Sequence, residues 1–395
     1  MLSAAREEGV GYHETASVIL FESTVTKASR SWTYPHEKGA LGSAYAIYWQ
    51  LESAKLPRHG NKPAMTSAPI TSAATRAELP VEQASCLFCG ADALTQCVAV
   101  GRDFEYDSTA RSFEMLQCQG CELMFIQPRP AAEAMSVIYP SNYYAYNEEE
   151  GEVPLVKFFR DRVERVKVRR YQELIGSSAG AIVDIGSGDG RLLEILQRFG
   201  PSQWHLAGIE IGEGAAQKAA AKGFDVRSGD FESADLSGWE ERYDLALMHH
   251  VIEHVREPRA TLRRVAGLLK PGGFFSVETP DIRGWDARLY RRRFWGGYHI
   301  PRHFYLFHAQ SLTRLLREEG FEIVSVRSIP SPAFWIFSWH NWLQDRRGAW
   351  GKRLARFCHP QNLLVVCVAT GIDALQLITR RQSSNLQVIA RKAAA

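Results

Sequence analysis

Residues 181–196 read AIVDIGSGDGRLLEIL. An apolar run meets Asp184, glycine follows at 186, 188 and 190, and from Arg191 leucine and isoleucine recur at helical spacing. Apolar run, glycine turn and amphipathic segment together predict a strand that opens into a helix. Such a turn presents unbonded backbone N–H groups at the helix N-terminus. Glycine there permits positive φ and lets a ligand approach the backbone closely. A dinucleotide fingerprint would place its third glycine at Arg191. Here the spacing is Asp184-x-Gly186-x-Gly188-x-Gly190. An acid at the strand end repels a pyrophosphate and attracts an ammonium or sulfonium group. The loop therefore suits a zwitterionic nucleoside better than a dinucleotide.

Outward from this stretch, strand and helix patterns alternate, which predicts an α/β fold with a Rossmann-like parallel sheet covered on both faces. Further strands are expected at HLAGIEI, FDVRSG, YDLALMHHV, FFSVETP, FEIVSV and NLQVIARK, the last giving a seven-stranded sheet. Pro258 suits the first turn of a helix that KPGG ends, Gly223 closes another, and Ser311 is expected to cap a third. The chain then divides into 1–80, disordered; 81–130, a cysteine module; 131–176, a tyrosine-rich segment and linking helix; 177–329, the main domain; 330–382, a helical insertion; and 383–395, the last strand and tail. On the linking helix, Leu155, Phe158, Phe159, Val163, Val166 and Tyr171 are expected to share one face.

VDIGSGDG resembles the first motif of class I S-adenosylmethionine-dependent methyltransferases, and three further features follow in order. Glu210 ends the second strand about 20 residues on, the distance at which a carboxylate meets ribose hydroxyls. Asp230 and Phe231 follow the third strand, where that family places an acid or amide at the adenine amino group. LLKPGGFFSVETP resembles its approach to strand five. The resemblance implies S-adenosyl-L-methionine as cofactor, held by Asp184, Gly186, Ser187, Gly188, Gly190, Glu210, Asp230, Phe231 and His249.

MHHVIEHVREP, just past strand four, is similar to a stretch of ubiquinone-type O-methyltransferases that carries Glu-His-Val. His254 is the first candidate for general base, with Glu253 as orienting partner or neighbour and His250 as a further candidate. Those relatives place an acid of a divalent-metal site where this chain has His250. WGGYHIPRHFYLFHAQSL adds His299, Arg302, His303 and Tyr305. Arg302 has two readings: it binds an anionic group on the acceptor, or it buttresses the active-site wall. No Asp/Asn-Pro-Pro-aromatic follows strand four and no cysteine occurs between Cys121 and Cys358. Set against the patterns of the family it resembles, both absences imply an oxygen or carbon acceptor rather than a nucleobase.

Cys86-x-x-Cys89 and Cys118-x-x-Cys121 are two thiolate pairs able to complete a tetrahedral, structural Zn²⁺ site. The arrangement resembles the N-terminal zinc module of bacterial sugar C-methyltransferases. Cys97 is the spare, and Cys358 and Cys367 read as core. Tyr139, Tyr143, Tyr144 and Tyr146 either form a lid or pack two domains together. In the insertion, Trp335, Trp339, Trp342 and Trp350 with adjacent arginines either pack on the domain, shape an acceptor pocket or dock on a membrane surface. Its apolar run, residues 362–378, is interrupted by Gly371 and Asp373, and no transmembrane helix is expected.

Net charge is only +3, so no general affinity for nucleic acid follows, and seven cysteines without a secretory h-region point to reduced, cytoplasmic thiols. The expected activity is methyl transfer to a small-molecule, sugar or lipid-linked acceptor, with peripheral contact at the inner membrane face through 330–382. Other readings are an RNA methyltransferase gripping substrate with its zinc module, a non-catalytic cofactor-binding regulator and, last, a nicotinamide oxidoreductase.

Overall fold

The computed structural model describes residues 79–91, 93–139, 154–346, 349–360 and 362–394. The disorder expected over residues 1–78 and a lid role for Tyr143, Tyr144 and Tyr146 lie outside the described residues. The cysteine module opens with β1 (Val81–Glu82), β2 (Thr95–Gly101), β3 (Phe113–Cys118), β4 (Met124–Gln127) and β5 (Arg129–Pro130). A short α1 (Met135–Ile138) follows, then the linking helix α2 (Pro154–Ile175).

The main domain runs β6 (Ala179–Ile185), α3 (Arg191–Phe199), β7 (Gln203–Glu210), α4 (Glu213–Ala221), β8 (Asp225–Ser228), β9 (Tyr243–His249), α5 (Pro258–Leu268), β10 (Leu269–Pro280) and α6 (Trp285–Leu289). It continues with β11 (Tyr305–Leu306), α7 (Ala309–Glu318) and β12 (Phe321–Ile329). The insertion supplies α8 (Pro332–Gln344), α9 (Ala349–Ala355) and α10 (Leu363–Arg380), and β13 (Asn385–Lys392) returns to the sheet.

Among the described residues, seven strands form one sheet in the order β12-β13-β10-β9-β6-β7-β8. The strands β10, β9, β6, β7 and β8 are parallel, and β13 runs antiparallel between β10 and β12. The order reverses at β6, so the crevice beyond its C-terminal end is where an open α/β sheet binds ligands. Ile182, Val183, Leu245, Leu247, Phe275 and Val277 are buried in the middle of this sheet.

The cysteine module does not stand apart. β11, from the segment after strand five, pairs antiparallel with β4 and completes a four-stranded sheet, β11-β4-β3-β2.

Four local expectations need correction. Ser311 is not the cap of α7: His308 caps it, its Nδ1 accepting from Ser311 N, while Ser311 Oγ accepts from His308 N. This reciprocal pair makes two N–H groups good at once, which a lone serine cap cannot. Val166 is exposed on α2, and its neighbour Lys167 is buried, paired with Glu278 at 3.3 Å. Cys367 is exposed and Cys358 half-buried, so neither is core. Residues 363–380 form one uninterrupted helix, long and apolar enough by composition to cross a membrane. Asp373 does not break it because its carboxylate is satisfied internally, accepting from Ser331 N at 2.7 Å and Ser383 Oγ at 2.8 Å.

Candidate active site

The glycine loop follows β6 with φ of 80° at Gly186, 55° at Gly188 and 87° at Gly190, values that side chains rarely tolerate. A Cβ on Gly186 would lie 2.5 Å from Val251, and one on Gly190 would lie 2.9 Å from Ala219. The first glycine thus admits the loop after β9, and the third lets α3 pack against α4. Gly188 N donates to Glu210 Oε2 at 2.8 Å, and Gly212 N to Oε1 at 2.7 Å. Glu210 therefore fastens the loop it faces. Burial raises its pKa, partly offset by those two N–H groups.

Asp184, Gly186, Ser187, Gly188, Glu210, Asp230, Phe231 and His249 line one cavity of 720 Å³; Gly190 stands behind the wall as the N-cap of α3. Asp230 Oδ1 accepts from Glu232 N at 3.0 Å, and Phe231 is buried. His250, His254, His299 and His303 line the same cavity, with Phe334 and Phe337 from α8.

The histidines differ in what holds them. His249 lies 3.4 Å from Lys167 Nζ, 3.3 Å from Tyr171 Oη and 3.5 Å from Glu278. Burial would raise the Glu278 carboxyl, but His249 and Lys167 outweigh it and hold it at about 2. His250 takes left-handed backbone, φ 55°; its Nδ1 is 3.3 Å from Glu253 Oε1, and its Nε2 is 3.4 Å from Asn385 Nδ2. Glu253 is fully buried and accepts from Thr279 Oγ1 at 3.0 Å, so it neighbours His254 and bonds others.

His254 Nδ1 sits 3.1 Å from the Arg302 carbonyl oxygen and 3.0 Å from Tyr139 Oη. A carbonyl only accepts, so Nδ1 carries the proton and Nε2 the lone pair. Burial pushes this imidazole down to about 4, with Glu253 opposing. His303 Nδ1 donates to Gly297 O at 2.8 Å, and burial drives its pKa well below the usual value. The His254 and His303 rings are 4.5 Å apart, centroid to centroid, and His299 and His303 5.1 Å.

His299 is held by a carboxylate. Its Nδ1 lies 2.7 Å from Glu105 Oε2, both side chains are buried, and both residues line the cavity. Glu105 comes from the cysteine module, between β2 and β3. Sequence reasoning missed it; the available signal was the wide gap between the cysteine pairs, which GRDFEY occupies. Asp103, two residues earlier, decides the reading of Arg302. The guanidinium grips Asp103 bidentately at 2.8 and 3.2 Å and donates through Nε to Ile138 O at 2.7 Å, with no side-chain exposure. Arg302 is thus a buttress between the module and the main domain, not an anion receptor. Burial would raise the Asp103 carboxyl; Arg302 outweighs it and holds it at about 2.

In the cysteine module, the Sγ atoms of Cys86, Cys89, Cys118 and Cys121 all lie within 4.8 Å of one another. A tetrahedral zinc–sulfur site has edges of about 3.8 Å, from Zn–S bonds of about 2.3 Å. Each pair closes a tight turn, Gly90 N to Cys86 O and Glu122 N to Cys118 O, both 2.9 Å. Burial would raise Cys118, but N–H groups of Cys121 and Gly120 bring it to about 7. The geometry and donor set fit a four-thiolate cation site.

Comparison with known proteins bears on the main domain. Residues 159–326 match the family described as a methyltransferase domain. The ubiquinone biosynthesis O-methyltransferase of Rhodopseudomonas palustris strain TIE-1 is 30% identical over 187 residues, 42% of this chain and 70% of that protein. Its counterpart in Bradyrhizobium sp. strain ORS 278 is 34% identical over 133 residues, 33% of this chain and 51% of that protein. The chain spans about half the length of the first curated relatives it matches. Among solved structures, the 1,6-didemethyltoxoflavin-N1-methyltransferase of Burkholderia thailandensis is 16% identical, covering 73% of this chain and 98% of that one, with a TM-score of 0.41.

Proposed function

Since the chain belongs to the S-adenosylmethionine-dependent methyltransferases, we propose that it methylates an oxygen or carbon of a small-molecule, sugar or lipid-linked acceptor. The observation that carries this reading is that one cavity joins the Glu210-fastened glycine loop to the histidine cluster. When bound, S-adenosylmethionine supplies a methyl group activated by a sulfonium centre. Glu210 would take the ribose hydroxyls through its remaining lone pairs, Asp230 and Phe231 the adenine, and Asp184 the cationic end of the methionyl chain.

The base of choice moves from His254 to His299. A group held near 4 accepts a proton poorly at neutral pH. In His299, Glu105 fixes the tautomer: Nδ1–H donates to the carboxylate and Nε2 keeps the lone pair. His299 then takes the acceptor proton while Glu105 stabilises the imidazolium that forms. The Cys86, Cys89, Cys118 and Cys121 cluster takes a structural Zn²⁺, which stabilises the module that supplies Glu105 and Asp103.

Calorimetry with S-adenosylmethionine and its demethylated product tests the reading directly. Wild type binds both, and Glu210→Ala weakens binding by at least tenfold, about 1.4 kcal/mol. Metal analysis should find one zinc per chain, lost in Cys118→Ser. Absence of cofactor uptake by folded protein refutes the proposal. The acceptor follows from transfer of a labelled methyl group into fractionated lipid and sugar-nucleotide pools.

A further inference from the structure

The helix α10 is turned inside out. Its buried face carries Val366, Ala369, Thr370, Asp373 and Gln376, whereas Leu364, Val368, Leu375 and Ile378 are exposed. Those exposed positions follow one another at intervals of four, seven and three, all of which return to one helix face, and so form one stripe. Leu364 is 74% exposed and Ile378 77%. Next to it, α9 and the turn that follows repeat the arrangement: Trp350, Leu354 and Phe357, at i, i+4 and i+7, are exposed, with Trp350 at 78%. A helix on a water-facing surface buries its apolar stripe, and monomers seldom leave a patch of this kind uncovered.

Charge identifies the occupant. Between Ala349 and Arg381 the chain carries Lys352, Arg353, Arg356, Arg380 and Arg381, and its acid is Asp373, which is buried. Lys352, Arg353, Arg356, Arg380 and Arg381 are exposed. Aromatic and aliphatic side chains among exposed cations match an anionic lipid surface. A second copy of the chain would set these cations against themselves.

The bonds that tie α10 to the domain let it lie on such a surface but not cross it. Eighteen residues span about 27 Å, but the middle of α10 is tied to the domain. Asp373 accepts from Ser331 and Ser383, and Gln376 Oε1 accepts from Trp285 N at 2.9 Å. A spanning pose would strip those bonds and leave Asp373 in hydrocarbon. The inward side of the insertion reaches the cavity: on α8, Trp335 and Ile336 pack with Val366 and Ala369, while Phe334 and Phe337 line the cavity wall.

We propose that α9 and α10 dock on an anionic membrane surface and that the acceptor of the adjoining cavity is an amphiphile drawn from that surface. The acceptor half rests on the methyltransferase reading; the docking half does not. Cytoplasmic leaflets supply the anionic charge, and the thiol cluster suits a reducing compartment.

Flotation of the full chain with vesicles of phosphatidylglycerol and phosphatidylcholine in equal parts decides it. Wild type should float with these vesicles and stay behind with phosphatidylcholine alone. Tryptophan fluorescence, summed over the ten tryptophans, should shift to the blue on vesicle addition, and Trp350→Ser should reduce the shift. The double variant Leu364→Asp, Leu375→Asp should cut bound protein about tenfold or more while retaining wild-type cofactor affinity by calorimetry. Failure of wild type to float, or equal flotation of the double variant, overturns the proposal. So does a dimer, seen by light scattering, that the double variant dissociates without any vesicle binding. Absence of cofactor affinity in wild type would instead sink the methyltransferase reading and the acceptor half with it, and leave the docking half standing.

Discussion

α7 and α10 sit on the same domain and solve opposite problems. α7 buries Leu312, Leu315 and Leu316 and turns Arg314, Arg317 and Glu318 toward solvent. α10 buries Asp373 and Gln376 and turns Leu364, Leu375 and Ile378 outward. Both are amphipathic, so periodicity alone makes them equivalent. The difference teaches that an apolar stripe declares only that it avoids water; what it meets instead depends on where the chain places the helix. For α7 that is the sheet, and for α10 we propose the membrane.

The sharpest way to break this comparison is one charge on each stripe. Leu315→Asp places an unpaired carboxylate in the core and should cost at least about 4 kcal/mol, enough to unfold a marginal domain. Leu375→Asp should change the unfolding midpoint in urea hardly at all. Equal destabilisation by the two would show that α10 faces protein.

The polar interiors can be compared next. Beneath α10, Asp373 is surrounded by neutral donors; at the module boundary, Asp103 is gripped by Arg302. Arg302→Met leaves Asp103 buried without its cation and should cost about 3–5 kcal/mol. Denaturant titration measures it. Asp373→Asn, with no charge partner removed, should cost far less.

Glu105→Gln probes the module's reach into the cavity and should leave cofactor affinity intact. It should lower kcat about a hundredfold, near 2.7 kcal/mol, with Glu105→Asp restoring part of the loss. A wild-type rate in Glu105→Gln would return the base role to His254.

The smallest effect is a pH dependence carried by two buried acids, Asp373 on the inward face of α10 and Asp286 on α6. Burial pushes Asp373 up to about 6 and Asp286 up to about 7, from 3.8. A raised folded pKa gives stability that is complete below about pH 4 and lost as pH rises through 6 and 7. Melting temperature should therefore fall between about pH 4 and pH 7, and Asp373→Asn should flatten the slope. α7 buries no such acid and contributes none. A slope unchanged in the variant would remove Asp373 from the account.

The main sheet was largely legible because its signals are local. The glycine spacing at 186, 188 and 190, Glu210 at the end of β7 and the alternation of NLQVIARK each depend on nearby residues, and each stands where expected. The thiol cluster was legible for the same reason, two tight turns carrying two pairs. Glu105 was not, because its partner His299 lies 194 positions away and no periodicity joins them.

By itself, the amino-acid sequence determined the order of strands and helices in the main sheet, the glycine loop after β6 and the two cysteine knuckles, since backbone preference and short-range spacing suffice for these. Tertiary structure alone decided that Glu105 meets His299, that Arg302 is buried and paired, and which face of α10 points out. Those outcomes turn on burial and on partners distant in the chain, and burial is a property of the packed molecule that no single segment contains.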